Sequence, residues 1–237
     1  GLNNKFLSKF LIRKKYLKFI NWIDKENEKS KKKIDLLIKK HRKVAAFQTR
    51  NIPHFGHEEI IRMMLKKCNH LVINPVIGPK KKDDIKIEKL SKIFNKIIKK
   101  KFNNKISFIP IYTNMYYAGP REAIHHSKIR EKFGFSHFSV GRDHAGAENK
   151  YNPIKAIQVL KKMKQKFKIK IITHAGSYFC VKCNRAVIKN KCSHNTKYLL
   201  DISGSNFRKS ILNNEKFKYA DKKMQKYLIH KKREIFN

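Results

Sequence analysis

Residues 48–57 read Gln48-Thr49-Arg50-Asn51-Ile52-Pro53-His54-Phe55-Gly56-His57, a dense run of groups that bind anions. An apolar run, 44–47, enters this stretch and an amphipathic segment leaves it, so the order reads as strand, polar turn and helix start. His54 and His57 stand three apart. On a helix that spacing puts both imidazoles on one face, near an N-terminus whose free N–H groups and dipole favour a bound anion. The H-x-G-H pattern then suits a polyphosphate, with Arg50 nearby for a second oxyanion. The plainer alternative stays open, because two histidines at a helix start can also be a cap and a surface residue.

A second group lies far downstream. Cys180-x-x-Cys183 is followed, after eight intervening residues, by Cys192-x-His194. The spacing is that of a Cys3His metal site, with a knuckle that lets two thiolates meet one tetrahedral zinc. A Cys180–Cys183 disulfide is the alternative, and it would leave Cys192 over. Zinc is the favoured reading, in a structural role because protein groups would fill all four positions.

The elements that must position these groups follow from the apolar pattern. Residues 1–43 read as helical. Helices are expected over 58–67, 85–101, 120–133 and 153–166, and strands over 71–77, 106–112, 137–140 and 169–173, beside the strand at 44–47. Pro120 after Gly119 is in a tolerated first-turn position. Strands alternating with helices imply an α/β fold, a parallel sheet covered on both faces. Ligands bind such sheets beyond the carboxyl ends of the strands. Two polar, glycine-containing turns follow clear strands, 48–57 and 141–146, and Arg50 and Arg142 can converge there. Lys80, Lys81 and Lys82 read as a solvated loop, and His125 and His126 as helix-surface or packing residues.

At 237 residues and 41% hydrophobic content the chain can build a real core. The net charge of +41 would suit nucleic acid. Only ten of the 58 basic residues are Arg, however, and Lys, Ile and Asn are abundant everywhere. Compositional drift explains that bias better than a dedicated nucleic-acid function, though nonspecific binding at low salt follows either way. No stretch approaches a membrane span and no signal-peptide pattern opens the chain, so a soluble, cytoplasmic protein is expected.

With these residues in view, the chain resembles the ATP sulfurylases, of the Rossmann-like nucleotidyltransferase superfamily. The matching segments are FQTRNIPHFGHEE at 47–59, NPVIGPKKKDD at 74–84, YAGPREAIHHSKIR at 117–130, FSVGRDHAG at 138–146 and ISGSNFR at 202–208. They occur in the family's order, and zinc-containing bacterial members carry a cysteine cluster where 180–194 falls. Departures are Ile52-Pro53 in the turn, Tyr116 where Arg commonly stands, and Ser205 for the usual Thr. The family typically has a PUA-like domain ahead of the core, so the resemblance implies a catalytic core from a partial or shortened protein. Its expected division is a helical remnant over 1–43, a nucleotidyltransferase core over 44–176, and a zinc-ribbon-like insert with C-terminal helices completing the core over 177–237.

The resemblance implies conversion of ATP and sulfate to adenosine 5′-phosphosulfate and pyrophosphate. By similarity, Gln48, Arg50, Arg142 and the backbone N–H of Ala145 would hold sulfate. Thr49 and Asn51 would act at the α-phosphate, while His54 and His57 would donate to the phosphates and stabilise the leaving group. Gly141, Arg142, Asp143 and His144 would touch the nucleotide. Asp143 reads equally as an anchor of its own loop, and Ser203 and Arg208 as a helix N-cap and an ion pair rather than phosphate ligands. Mg2+ would enter with ATP. No membrane or specific nucleic-acid partner is expected, and a homo-oligomer is left open.

Overall fold

The structure, a computed structural model, describes residues 25, 27–77, 85–142, 144 and 151–235. The expected loop at 80–84, Asp143, Ala145 and residues 1–24 lie outside them.

Helix α1 (Glu28–His41) leads into strand β1 (Val44–Phe47), and helix α2 (Phe55–Leu65) follows. Next come β2 (His70–Ile73), β3 (Val76–Ile77) and helix α3 (Ile87–Ile93), which runs on through a π-helical turn, Phe94–Ile98, and a closing turn, Lys99–Lys101. Strands β4 (Ile106–Phe108) and β5 (Ile111–Tyr112), helix α4 (Pro120–Lys132), strand β6 (His137–Val140), helix α5 (Lys155–Lys162) and strand β7 (Lys170–Thr173) complete the larger part. Strands β8 (Ser177–Cys180), β9 (Arg185–Ile188) and β10 (Leu199–Asp201) and helices α6 (Gly204–Leu212), α7 (Lys222–His230) and α8 (Lys232–Ile235) end it.

The main sheet is parallel, in the order β4-β2-β1-β6-β7. All four residues of β1 are buried, because a central parallel strand is covered on both faces. Val44 and Ala46 enter a cluster with Ile34 of α1, Ile124 of α4 and Val159 of α5. Ala45 and Phe47 point the other way, toward Ile61 of α2, Phe207 of α6 and Met224 of α7, as the two-residue strand period requires. The C-terminal helices are therefore part of the core beneath the first strand. Lys101 binds them to α2 through ion pairs of 2.9 Å to both Glu58 and Asp221.

The chain builds the sheet outward from β1 on one side, then crosses to β6 on the other. The β1–β6 neighbours are thus the point where strand order reverses, and a crevice opens beyond their carboxyl ends. The α/β expectation holds. Two expected strands do not run through: 71–77 and 106–112 each divide, and their second halves, β3 and β5, pair with each other in a separate parallel ribbon. Pro75 and Pro110 sit at the divisions, and neither has an N–H to give the ladder. Asn74 bridges the gap, its side-chain amide donating to the Ile109 carbonyl at 2.7 Å.

Strands β10-β8-β9 form a small antiparallel sheet. Its Phe179 and Ala186 cluster with Ile202, against Phe55 at the start of α2 and Tyr219. Among the described residues no helix is long and apolar enough to cross a membrane.

Candidate active site

Beyond Phe47 the chain turns out of the sheet, and α2 starts at Phe55 with His54 as its N-cap. The expected pairing of both histidines on one helical face is corrected here: His54 has extended backbone, φ −124° and ψ 175°. The Gly56 N–H donates to His54 Nδ1 at 3.1 Å, and the His54 N–H donates to His57 Nδ1 at 3.3 Å. The two imidazoles thus form a reciprocal capping box, satisfying donors that a helix start leaves free. Capping and cavity lining, posed as alternatives by the sequence, coexist in the same side chains.

This box decides the tautomer. A neutral imidazole that accepts at Nδ1 carries its proton on Nε2. Burial pushes His54 down to about 4. Burial, with His54 and His174 nearby, holds His57 well below the ordinary histidine range. Both rings are therefore neutral near pH 7, each with an Nε2–H to donate. His57 Nε2 lies 3.5 Å from Thr49 Oγ1, which in turn accepts from the Asn51 N–H at 3.2 Å.

The end of β6 forms the facing wall. Gly141 abuts the ring of His174, so closely that a Cβ there would lie 2.6 Å from His174 Cε1. Arg142 donates through Nη1 to the Tyr178 hydroxyl at 3.0 Å, and its Nη2 is 3.8 Å from the Asp201 carboxylate. His144 Nε2 is 3.0 Å from His126 Nδ1, and burial pushes His144 down to about 3. His126 and His125 are buried, so of the two roles left open for them packing is the one observed.

The third wall is the start of α6. The Asn206 N–H donates to Ser203 Oγ at 3.1 Å, which makes Ser203 the N-cap. Gly204 lets this turn lie against Asn51, since a Cβ at 204 would meet Asn51 Cγ at 2.8 Å.

Together these walls enclose a cavity of about 420 Å3, within the span of roughly 300–1,000 Å3 usual for small-molecule sites. Gln48, Thr49, Arg50, Asn51, His54 and His57 line one side, and Gly141, Arg142 and His144 the other. Asp143 and Ala145 lie outside the described residues. Sequence reasoning missed His174, Asp201 and Gly204, which also line the cavity. The strand-end rule, extended to β7, points to His174. Asp201 and Gly204 reach the site through a chain reversal with no periodic signal.

The four metal-type ligands meet at one end of the small sheet. His194 Nδ1 lies 3.5, 3.3 and 3.6 Å from the sulfurs of Cys180, Cys183 and Cys192, and the last two sulfurs are 3.8 Å apart. Tetrahedral zinc with ordinary bond lengths sets sulfur–sulfur separations of about 3.8 Å and sulfur–nitrogen separations of about 3.5 Å. A disulfide needs about 2.0 Å, and all four cysteines are free thiols. The donor set fits a metal such as zinc.

Residues 26–220 match the family model described as ATP-sulfurylase. The chain belongs to the ATP-sulfurylase family. Among curated relatives, the sulfate adenylyltransferase of Ignicoccus hospitalis is 38% identical over 172 residues, which cover 72% of this chain and 45% of the relative. That of Pyrococcus abyssi is 39% identical over 174 residues, covering 73% and 46%. This ATP-sulfurylase family chain thus spans slightly under half the length of the curated relatives it matches. A solved structure, a hexameric APS kinase from Thiobacillus denitrificans, aligns with a TM-score of 0.64 at 15% identity, over 85% of this chain and 39% of that one. At that identity the likeness shows the fold alone.

Proposed function

We propose that this chain carries the catalytic site of a sulfate adenylyltransferase, which joins ATP and sulfate into adenosine 5′-phosphosulfate and releases pyrophosphate. The observation that carries the reading, given the family, is one cavity at the β1–β6 reversal that gathers Arg50, Arg142 and two neutral histidine donors. A sulfate oxygen attacks the α-phosphorus as the bond to the bridging oxygen of the β-phosphate breaks, and that electron pair leaves with pyrophosphate. Sulfate is a dianion with no proton to surrender, so no general base is required. The site has to align two anions and neutralise charge, which is a task for fixed donors.

In this reading Gln48, Arg50, Arg142 and the Ala145 N–H hold sulfate. Thr49 and Asn51 act at the α-phosphate, and the Nε2–H groups of His54 and His57 stabilise the departing pyrophosphate. The segment from Gly141 to His144, Asp143 included, meets the nucleotide. Mg2+ accompanies ATP and screens its phosphates, while Cys180, Cys183, Cys192 and His194 hold structural zinc. Residues 44–176 supply the catalytic core, and 177–237 its zinc-binding and C-terminal parts.

Pyrophosphate release should depend on both ATP and sulfate and should fall about a hundredfold or more in Arg50→Ala, the scale of losing a donor to developing charge. Release that ignores sulfate, from folded protein, sinks the reading.

A further inference from the structure

The small sheet does more than hold metal ligands. Its strand β8 places Tyr178 two residues before Cys180, and β10 places Asp201 directly opposite Tyr178, while Leu199 lies opposite Cys180 in the same register. This cross-strand pair is what touches Arg142. The Tyr178 hydroxyl accepts from Nη1 at 3.0 Å, and the Asp201 carboxylate is 3.8 Å from Nη2. Tyr178 is buried, whereas Asp201 is 61% exposed. Solvent weakens the carboxylate's hold, so the tyrosine is the principal support. Gly176, at φ +94°, makes the reversal from β7 into β8 that brings Tyr178 there.

We propose that the metal-bearing sheet is a positioning device for Arg142: the register of β8 against β10, pinned at one end by the Cys3His group, fixes at the other the tyrosine that orients the guanidinium toward the oxyanion substrate. Tyr178 is then a positioning residue, acting on sulfate only through Arg142. This rests on the reading of Arg142 as a sulfate ligand. A strand shifted by one residue turns its side chains to the opposite face, so a loosened metal end releases the guanidinium.

The test is calorimetric binding of sulfate in the presence of a non-hydrolysable ATP analogue, with steady-state constants measured in parallel. Tyr178→Phe should weaken sulfate binding and raise its KM about five- to tenfold, on the scale of one lost hydrogen bond. Affinity for the ATP analogue should stay within about twofold, since no phosphate contact is removed. Protein stripped of metal, with circular dichroism unchanged, should lose at least as much sulfate affinity, and returned zinc should restore it. Tyr178→Phe decides the matter alone if stripping unfolds the sheet. Unchanged sulfate affinity in Tyr178→Phe overturns the proposal, and so does equal weakening toward both ligands. Arg142→Ala separates the two levels: if it leaves sulfate binding intact, the assignment of Arg142 to sulfate fails first.

Discussion

His54 and His57 each give Nδ1 to the backbone and so keep a proton on Nε2. Capping and donation therefore belong to different nitrogens and can be separated by substitution. Asn is as good an N-cap as any residue, so His54→Asn should hold stability within about 0.5 kcal/mol while Ala costs about 1 kcal/mol. Both variants should lose turnover about a hundredfold, because both lack the Nε2–H. Chemical denaturation beside kinetics checks the pair, and an Asn variant with wild-type turnover would remove His54 from the chemistry. That tautomer also requires a neutral ring. With burial setting its value at about 4, the His54 C2–H resonance of the folded protein should stay flat from pH 8 to 6. An inflection near 6.5, the ordinary value, contradicts it.

Between elements, close approach matters more than propensity. Gly56 lies inside α2, where Ala is the better helix former by roughly 1 kcal/mol. A Cβ there, however, would collide with Ser177 Oγ and stand 2.9 Å from the His54 ring. Gly56→Ala should therefore destabilise the protein by about 1–3 kcal/mol, the usual cost of overpacking, and displace His54 enough to lower turnover. Adding Ser177→Gly should recover part of the stability; a single variant more stable than wild type, by thermal melting, would show that β8 moves aside freely. Such contacts explain what the sequence could and could not convey. Strand β1 was legible to the residue because a strand buried on both faces is a short apolar run ended by polar turn residues. The rule that ligands bind beyond strand ends brought 48–57 to one edge with Gly141 and Arg142. The ribbon of β3 with β5 was not legible, since Pro75 and Pro110 break two apolar runs that otherwise read as continuous. Tyr178 and Asp201 escaped because their meeting with Arg142 depends on a cross-strand register, and the short strands that set it carry little periodicity.

Across the whole molecule, charge and burial act together on the histidines. His54, His125, His144 and His174 are pushed by burial down to about 4, 3, 3 and 4, and His57 and His126 are held well below the ordinary range. In the unfolded chain each returns to about 6.5. Below that pH the unfolded state binds protons that the folded state refuses, so stability is full above about 6.5 and is lost as pH falls toward 4. Each such histidine contributes up to about 1.4 kcal/mol per pH unit, against a total stability on the order of 5–15 kcal/mol. Six acting together can exhaust that margin near pH 5, above the range where carboxylates protonate. The chain's net charge of +41 works in the same direction, because every added proton meets an already positive surface. The thermal midpoint should therefore be nearly constant from pH 8 to 7, fall steeply between pH 6.5 and 5, and recover in part when a polyanion such as triphosphate neutralises the cavity and its surroundings. A midpoint still level at pH 5 would mean that the cavity histidines take up protons in place, and the neutral-donor reading of His54 and His57 would fall with it.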